Sequence, residues 1–143
     1  MLFNTNTWLR GFVKSFCRVS FDKTGSGQRQ TTNKSQDEKQ AEEQGVFCAG
    51  CQEYLCGRDQ AIEMAGGHRH AFVNPAGVEF EIAIYREIAC RRQGPLTLAY
   101  TWFAGFAWQL VLCPGCRRHL GWRYHQPDSP DFYGLITDRI HEK

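Results

Sequence analysis

Two Cys-x-x-Cys pairs, Cys48/Cys51 and Cys113/Cys116, carry the most specific chemistry in the chain. Four thiolates suit a tetrahedral Zn2+, and a two-residue spacer lets both sulfurs of one pair reach the same ion. Gly50 and Gly115 stand immediately before the second cysteine of each pair, where a tight knuckle favours glycine. Four cysteine ligands leave no open position for water, so one zinc is expected, in a structural role. Its binding energy then becomes folding energy, on the order of 10 kcal/mol in small zinc domains. Ordinary zinc ribbons keep their pairs about 15–20 residues apart. Here residues 52 to 112 intervene, so the ion would pin distant parts of the chain together. The other three of the seven cysteines, Cys17, Cys56 and Cys90, read as ordinary thiols. Close pairs of this kind suit metal ligation in a reducing compartment better than a disulfide framework, and a cytoplasmic location is expected.

The second chemical signal is "TWFAGFAWQLVLCPGCRRHLGW", Thr101 to Trp122, which holds three of the four tryptophans. Trp102 and Trp108 flank the turn "FAGFA", and Trp122 shares a strand face with Tyr124. A large aromatic core would account for them. Against that, tryptophan is rarely fully buried and its N–H needs a partner. Small neighbours (Ala104, Gly105, Ala107) also suit a box open on one side. Aromatic boxes often hold cations, yet no Asp or Glu occurs from Ile88 to Pro127, while Arg91, Arg92, Arg117, Arg118 and Arg123 do. A neutral ring with apolar faces and a hydrogen-bonding edge fits better. His119 and His125 are nearby bases, but no nucleophile accompanies them, so an enzyme is not expected.

These residues need a scaffold, and the periodicity beyond Val46 is mostly two. In "VEFEIAIY", Val78, Phe80, Ile82 and Ile84 alternate with Glu79, Glu81, Ala83 and Tyr85, a half-buried strand. "HAFVN" joins it through Asn74-Pro75-Ala76-Gly77, which has the Pro and Gly positions of a type I turn. "LTLAYTW" reads as a strand with Leu96, Leu98, Tyr100 and Trp102 on one face, and "WQLVLC" and "LGWRY" as two more. Turns fall at Ala104-Gly105 and Pro114-Gly115. "CQEYLCGRDQAIEM" suits a short helical turn. The fold class is all-β and antiparallel. Its 143 residues allow one modest domain, assigned to 46–143. Residues 23–45 contain Ala41 as their single apolar side chain and read as a disordered polar linker. Residues 1–22 stack Arg10, Lys14 and Arg18 opposite an apolar set on a helix, a spacing that suits a membrane surface or a targeting segment, or no fixed structure at all. A net charge of +2 is too small to argue for nucleic acid.

"NPAG", "TWFAGFAW", "CPGC", "HLGW" and "SPDFYGL", in this order and with a knuckle on either side of the first two, resemble the CULT domain, the thalidomide-binding domain of the cereblon family. The likeness covers roughly Val46 to Ile140. It implies a β-tent: two antiparallel sheets pinned by a structural zinc, related to Yippee-type proteins and B-type methionine sulfoxide reductases. It also implies ligands of the cyclic imide class, such as glutarimides, or uridine-like rings. Trp102, Trp108 and Trp122 would be the cage walls, with Tyr124 at the base. The Tyr100 carbonyl would accept the imide N–H, the Trp102 amide would donate to an imide carbonyl, and Asn74 and Pro75 would complete the site. Two departures matter. Ala76 replaces a histidine of vertebrate members, and the 45 residues ahead of the domain do not resemble a ubiquitin-ligase adaptor region. The resemblance implies a single-domain small-molecule binder; the alternative is an adaptor for peptide ends carrying a cyclic imide. Ranked last is a β-tent enzyme related to methionine sulfoxide reductases. That family's nucleophilic cysteine follows the second knuckle, whereas no cysteine follows Cys116 here.

Overall fold

The turn at Asn74–Gly77 forms as its residue types require. In a computed structural model of the chain, which describes residues 44–143, the Gly77 amide donates to the Asn74 carbonyl at 2.9 Å. Gly77 takes φ 81°, a left-handed value that glycine adopts without steric cost. The Asn74 side-chain oxygen accepts from the amides of Ala76 and Val78, at 3.0 and 2.9 Å. The turn joins β3 (Arg69–Val73) to β4 (Glu79–Tyr85) in register Val73↔Glu79 to Arg69↔Ala83. The readings of residues 1–22 and of 23–43 fall outside the described residues.

Seven further strands complete the fold: β1 (Gly45–Cys48), β2 (Tyr54–Gly57), β5 (Arg91–Thr97), β6 (Ala107–Leu112), β7 (His119–His125), β8 (Phe132–Ile136) and β9 (Ile140–Glu142). They form a three-stranded sheet, β2-β1-β9, and a six-stranded sheet, β3-β4-β8-β7-β6-β5, antiparallel throughout. No α-helix occurs among the described residues. The all-β, two-sheet expectation therefore holds.

Both faces of the large sheet are covered, which is why β4 departs from simple alternation. Ile82, Ala83, Ile84 and Tyr85 are all buried. Ala83 and Tyr85 join Val111, Leu120 and Leu135 against Val46, Cys48 and Leu55 of the small sheet. Ile82 and Ile84 join Phe103, Tyr124, Phe132 and Ile136 on the other side, where Phe72, Phe80 and the tryptophans pack. A bulge between Val111 and Leu112 lets β7 serve both cores. It turns Leu120 to the first core and Trp122 and Tyr124 to the second. Gly121 is obligatory there, since a Cβ would run into the Gly134 carbonyl of β8.

Two elements differ from the sequence reading. The apolar alternation of "LTLAYTW" is not a strand: β5 ends at Thr97, and Leu98 and Tyr100 are 62% and 77% exposed. Tyr100 takes φ 56°, which ends extended geometry, and the Thr101 hydroxyl lies within hydrogen-bond distance of the Phe103 and Phe106 carbonyls to fold the loop. The helical turn in the 51–64 stretch is one 3-10 turn, Arg58–Gln60, placed after β2. β8, "FYGLI", is buried at every position, so it lacks the alternation that marks a half-buried strand.

Candidate functional site

The two knuckles are built alike. In the first, the Cys48 amide donates to the Glu53 carbonyl and the Gln52 amide to the Cys48 carbonyl. In the second, Cys113 donates to Arg118 and Arg117 to Cys113. The left-handed residue is the one after each second cysteine, Gln52 at φ 67° and Arg117 at φ 62°. Glycine before the second cysteine thus answers crowding more than backbone angle. A Cβ on Gly115 would sit 3.3 Å from the Cys51 sulfur and 3.1 Å from a Glu53 oxygen.

The knuckles face each other and bring Cys48, Cys51, Cys113 and Cys116 together. All four sulfurs lie within 4.8 Å of one another, with Cys48–Cys116 at 3.7 Å and Cys51–Cys113 at 3.5 Å. Tetrahedral zinc with Zn–S near 2.3 Å requires sulfurs about 3.8 Å apart, so the cluster can hold one metal ion. Burial pushes the Cys113 thiol up to about 12, so a thiolate there calls for a cation beside it. Cys56 is also buried and its thiol is raised to about 12, by burial first, which leaves it an inert thiol. Cys90 is raised as well, again by burial first.

On the other side of the large sheet, Asn74, Pro75, Tyr100, Trp102, Trp108, Trp122 and Tyr124 line one cavity of about 210 Å³. Trp102 and Trp122 meet edge to face, with centroids 4.8 Å apart. Trp108 is held by its indole N–H, which donates to the Ala99 carbonyl at 2.8 Å. Tyr124 is 1% exposed, stacked on Phe132 and edge-on to Phe103. Its hydroxyl has no hydrogen-bond partner among the described residues. No fully buried side-chain oxygen or nitrogen lacks one, so the little exposure Tyr124 retains lies at that oxygen. Burial pushes its pKa upward. The Tyr100 carbonyl and Trp102 amide likewise have no partner among the described residues. Asn74 has its oxygen engaged in the hairpin turn, which leaves its NH2 group for the cavity.

The residues that brace this cavity were not singled out in the sequence. Phe72 stacks on Trp102 at 4.9 Å and Phe80 meets Trp122 edge-on at 5.3 Å. They are a cross-strand pair of the β3–β4 hairpin, so the alternation that found the hairpin contained the signal. His119 stands behind Trp122, centroids 5.0 Å apart. Its Nδ1 faces the Arg139 guanidinium at 3.0 Å and its Nε2 faces the Gly121 carbonyl at 2.9 Å, which fixes a neutral ring with the proton on Nε2. Burial first, and the Arg139 charge besides, hold its pKa below the usual histidine value; the Gly121 contact opposes them. His125 pairs with Asp131 at 2.7 Å, and Arg123 clasps the same carboxylate at 2.6 Å. Desolvation raises the Asp131 pKa, but the His125 and Arg123 hydrogen bonds and charges outweigh it and hold it low. By strand alternation Arg123 and His125 face away from Trp122 and Tyr124, and neither histidine lines the cavity.

No family model matches the chain. Its curated relatives are cereblons. It is 27% identical to protein cereblon of Danio rerio over 102 residues, 66% of this chain and 24% of that protein. With protein cereblon of Drosophila persimilis it shares 31% identity over 107 residues, 69% of this chain and 17% of the relative. With that of Xenopus tropicalis it shares 34% over 79 residues, 52% and 18% of the two lengths. The matched segment spans less than a quarter of each of these relatives. No helix among the described residues is long and apolar enough to cross a membrane.

Proposed function

Because this chain carries a cereblon-like CULT domain, we propose that it is a non-enzymatic binding module. One structural zinc on Cys48, Cys51, Cys113 and Cys116 braces it, and its aromatic cavity takes a neutral cyclic imide or a uridine-like ring. The observation that carries this reading is the lining: three indoles over a buried tyrosine, beside a carbonyl and an amide left without partners. An imide ring has two apolar faces and a flat acceptor–donor–acceptor edge. Indoles cover the faces, and the Tyr100 carbonyl and Trp102 amide meet the edge without fixing any side-chain rotamer. A carboxylate is absent from the lining, which disfavours a cation.

A ring of about eight heavy atoms at roughly 1 kcal/mol each gives at best about −8 kcal/mol, near micromolar dissociation. Glutarimide should quench or shift tryptophan fluorescence, with little salt dependence because no charge is paired. N-methylglutarimide should bind at least about tenfold more weakly, since the Tyr100 carbonyl would lose its donor. Equal binding of the two would defeat the reading. The exposed apolar side chain of Tyr100 in the lining, with those of Val73 and Leu98 in the chain segments that form the lining, also favours a ring carried on a larger molecule, such as a peptide end.

A further inference from the structure

Three arginines from two separate parts of the chain meet in the fold. Arg91 and Arg92 open β5 and Arg117 follows the second knuckle; with Gln93 and Leu112 they line an open groove of about 600 Å³. The groove shares no residue with the aromatic cavity. Two guanidiniums are pre-set. Arg91 Nε donates to the Pro114 carbonyl at 3.4 Å, and an Arg92 NH2 group donates to the Tyr133 hydroxyl at 3.1 Å. Each bond occupies part of a five-donor fork and leaves the rest open. Arg117 is fixed at its backbone, where its amide bonds to the Cys113 carbonyl at 3.0 Å; its side chain has no partner among the described residues.

No carboxylate neutralises these three. Among the described residues, the ion pairs to Asp and Glu are made by Arg69, Arg123 and His125. Asp131, whose charge reaches Arg92, is itself held by Arg123 and His125. β5 also ends the six-stranded sheet, so its outer side has no strand partner among the described residues. Its pairing with β6 shifts between Gln93 and Thr97, around Gly94 and Pro95, which leaves residues 91–93 as the regular stretch of that edge.

We propose that this groove docks an extended acidic peptide, its carboxylates on Arg91, Arg92 and Arg117 and its backbone along the edge of β5. Arginine forks match carboxylates in geometry, an open strand edge recognises extended backbone, and Leu112 adds an apolar side chain to the lining. With so short a regular edge, charge provides most of the affinity.

The test uses the full chain and labelled hexaglutamate, followed by fluorescence anisotropy, with hexalysine as control. Hexaglutamate should bind saturably at low salt and lose about tenfold or more of its affinity when exposed charges are screened at 0.2 M salt. Arg91→Ala and Arg117→Asn, the latter tolerant of a left-handed backbone, should each weaken it about three- to fivefold, as expected for one exposed ion pair. Glutarimide titration should be unchanged in both. No saturable binding at low salt, or undiminished binding by both variants, overturns the proposal. So does displacement by inorganic phosphate at the same concentration of anionic groups, which would reduce the groove to a simple anion site.

Discussion

The two faces of the six-stranded sheet are covered in different ways, and the difference separates stability from binding. One face packs against a second sheet, and its core is closed and mostly of small and aliphatic side chains: Val46, Cys48, Ala83, Val111, Cys113, Leu120 and Leu135 are each 0% exposed. The four-cysteine cluster joins that second sheet to the loop after β6. The opposite face has no second sheet. The loop that carries Trp102, Phe103 and Phe106 packs over it, and six of the aromatic rings there, among them Phe72, Phe80 and the three tryptophans, stay partly buried. Sheet on sheet fills space with short interdigitating side chains. A loop cannot close over so wide a face, and rigid flat rings leave a gap where aliphatic side chains would have filled one. The cavity is that gap.

The comparison breaks most sharply at the metal. Cys113→Ser removes a completely buried sulfur that holds the loop after β6 to β1. With metal binding counted as folding energy, the expected cost is on the order of several kcal/mol, up to about 10. Cooperative melting should disappear, and metal analysis should fall from one zinc per chain to none. The aromatic face should go with it, because β6 and β7 border both cores. A metal-free wild type that melts as the metal-bound protein does would show that the closed face stands without an ion.

How much of this could be read beforehand follows the same division. The cysteine pairs, the tryptophans and the β3–β4 hairpin were legible because each is a local pattern with a direct physical meaning. β8 was not, since a strand buried on both faces carries no alternation. Residues 96–102 misled for the reverse reason. Their alternation is real, but Leu96, Leu98 and Tyr100 are exposed instead of packed. The bulge that turns β7 from one core to the other depends on an encounter between Gly121 and Gly134, distant in sequence. The arginine groove likewise exists in the fold alone. In sequence its members look scattered.

A smaller effect sharpens the contrast. Trp122→Ala should leave the metal bound and melting cooperative, because Trp122 is half-buried at the open face and remote from the sulfurs' core. Imide binding should weaken by about 1–3 kcal/mol, the usual loss for an aromatic anchor, and fluorescence titration measures it. If the melt collapsed while binding per folded molecule survived, the indoles would be core, and the two faces would not differ in role.

The smallest effect tests where the faces communicate. The first knuckle reaches the cage wall by a short path: the Ala49 amide bonds to the Arg139 carbonyl, the Arg139 side chain to His119, and His119 packs edge-on against Trp122. His119 is neutral in this arrangement, with a pKa held below its unfolded value. A histidine depressed on folding contributes stability that is present above the unfolded value, near 6.5, and is lost as pH falls through the lower folded one. Below about pH 6.5 the unfolded chain takes up the proton first, so stability declines. Further down, a protonated His119 loses its Nδ1 acceptor and confronts the Arg139 charge. Trp122 should then shift, so imide affinity should fall a few-fold as pH drops below about 6.5 and through the lower folded value, together with a change in tryptophan emission. His119→Gln cannot titrate and should flatten the profile while keeping a hydrogen bond to Gly121 or Arg139. A wild-type affinity that stays constant as pH falls from about 7 to the point where the protein unfolds, or a decline that His119→Gln leaves intact, would mean that the cage wall does not depend on the charge state of the residue behind it.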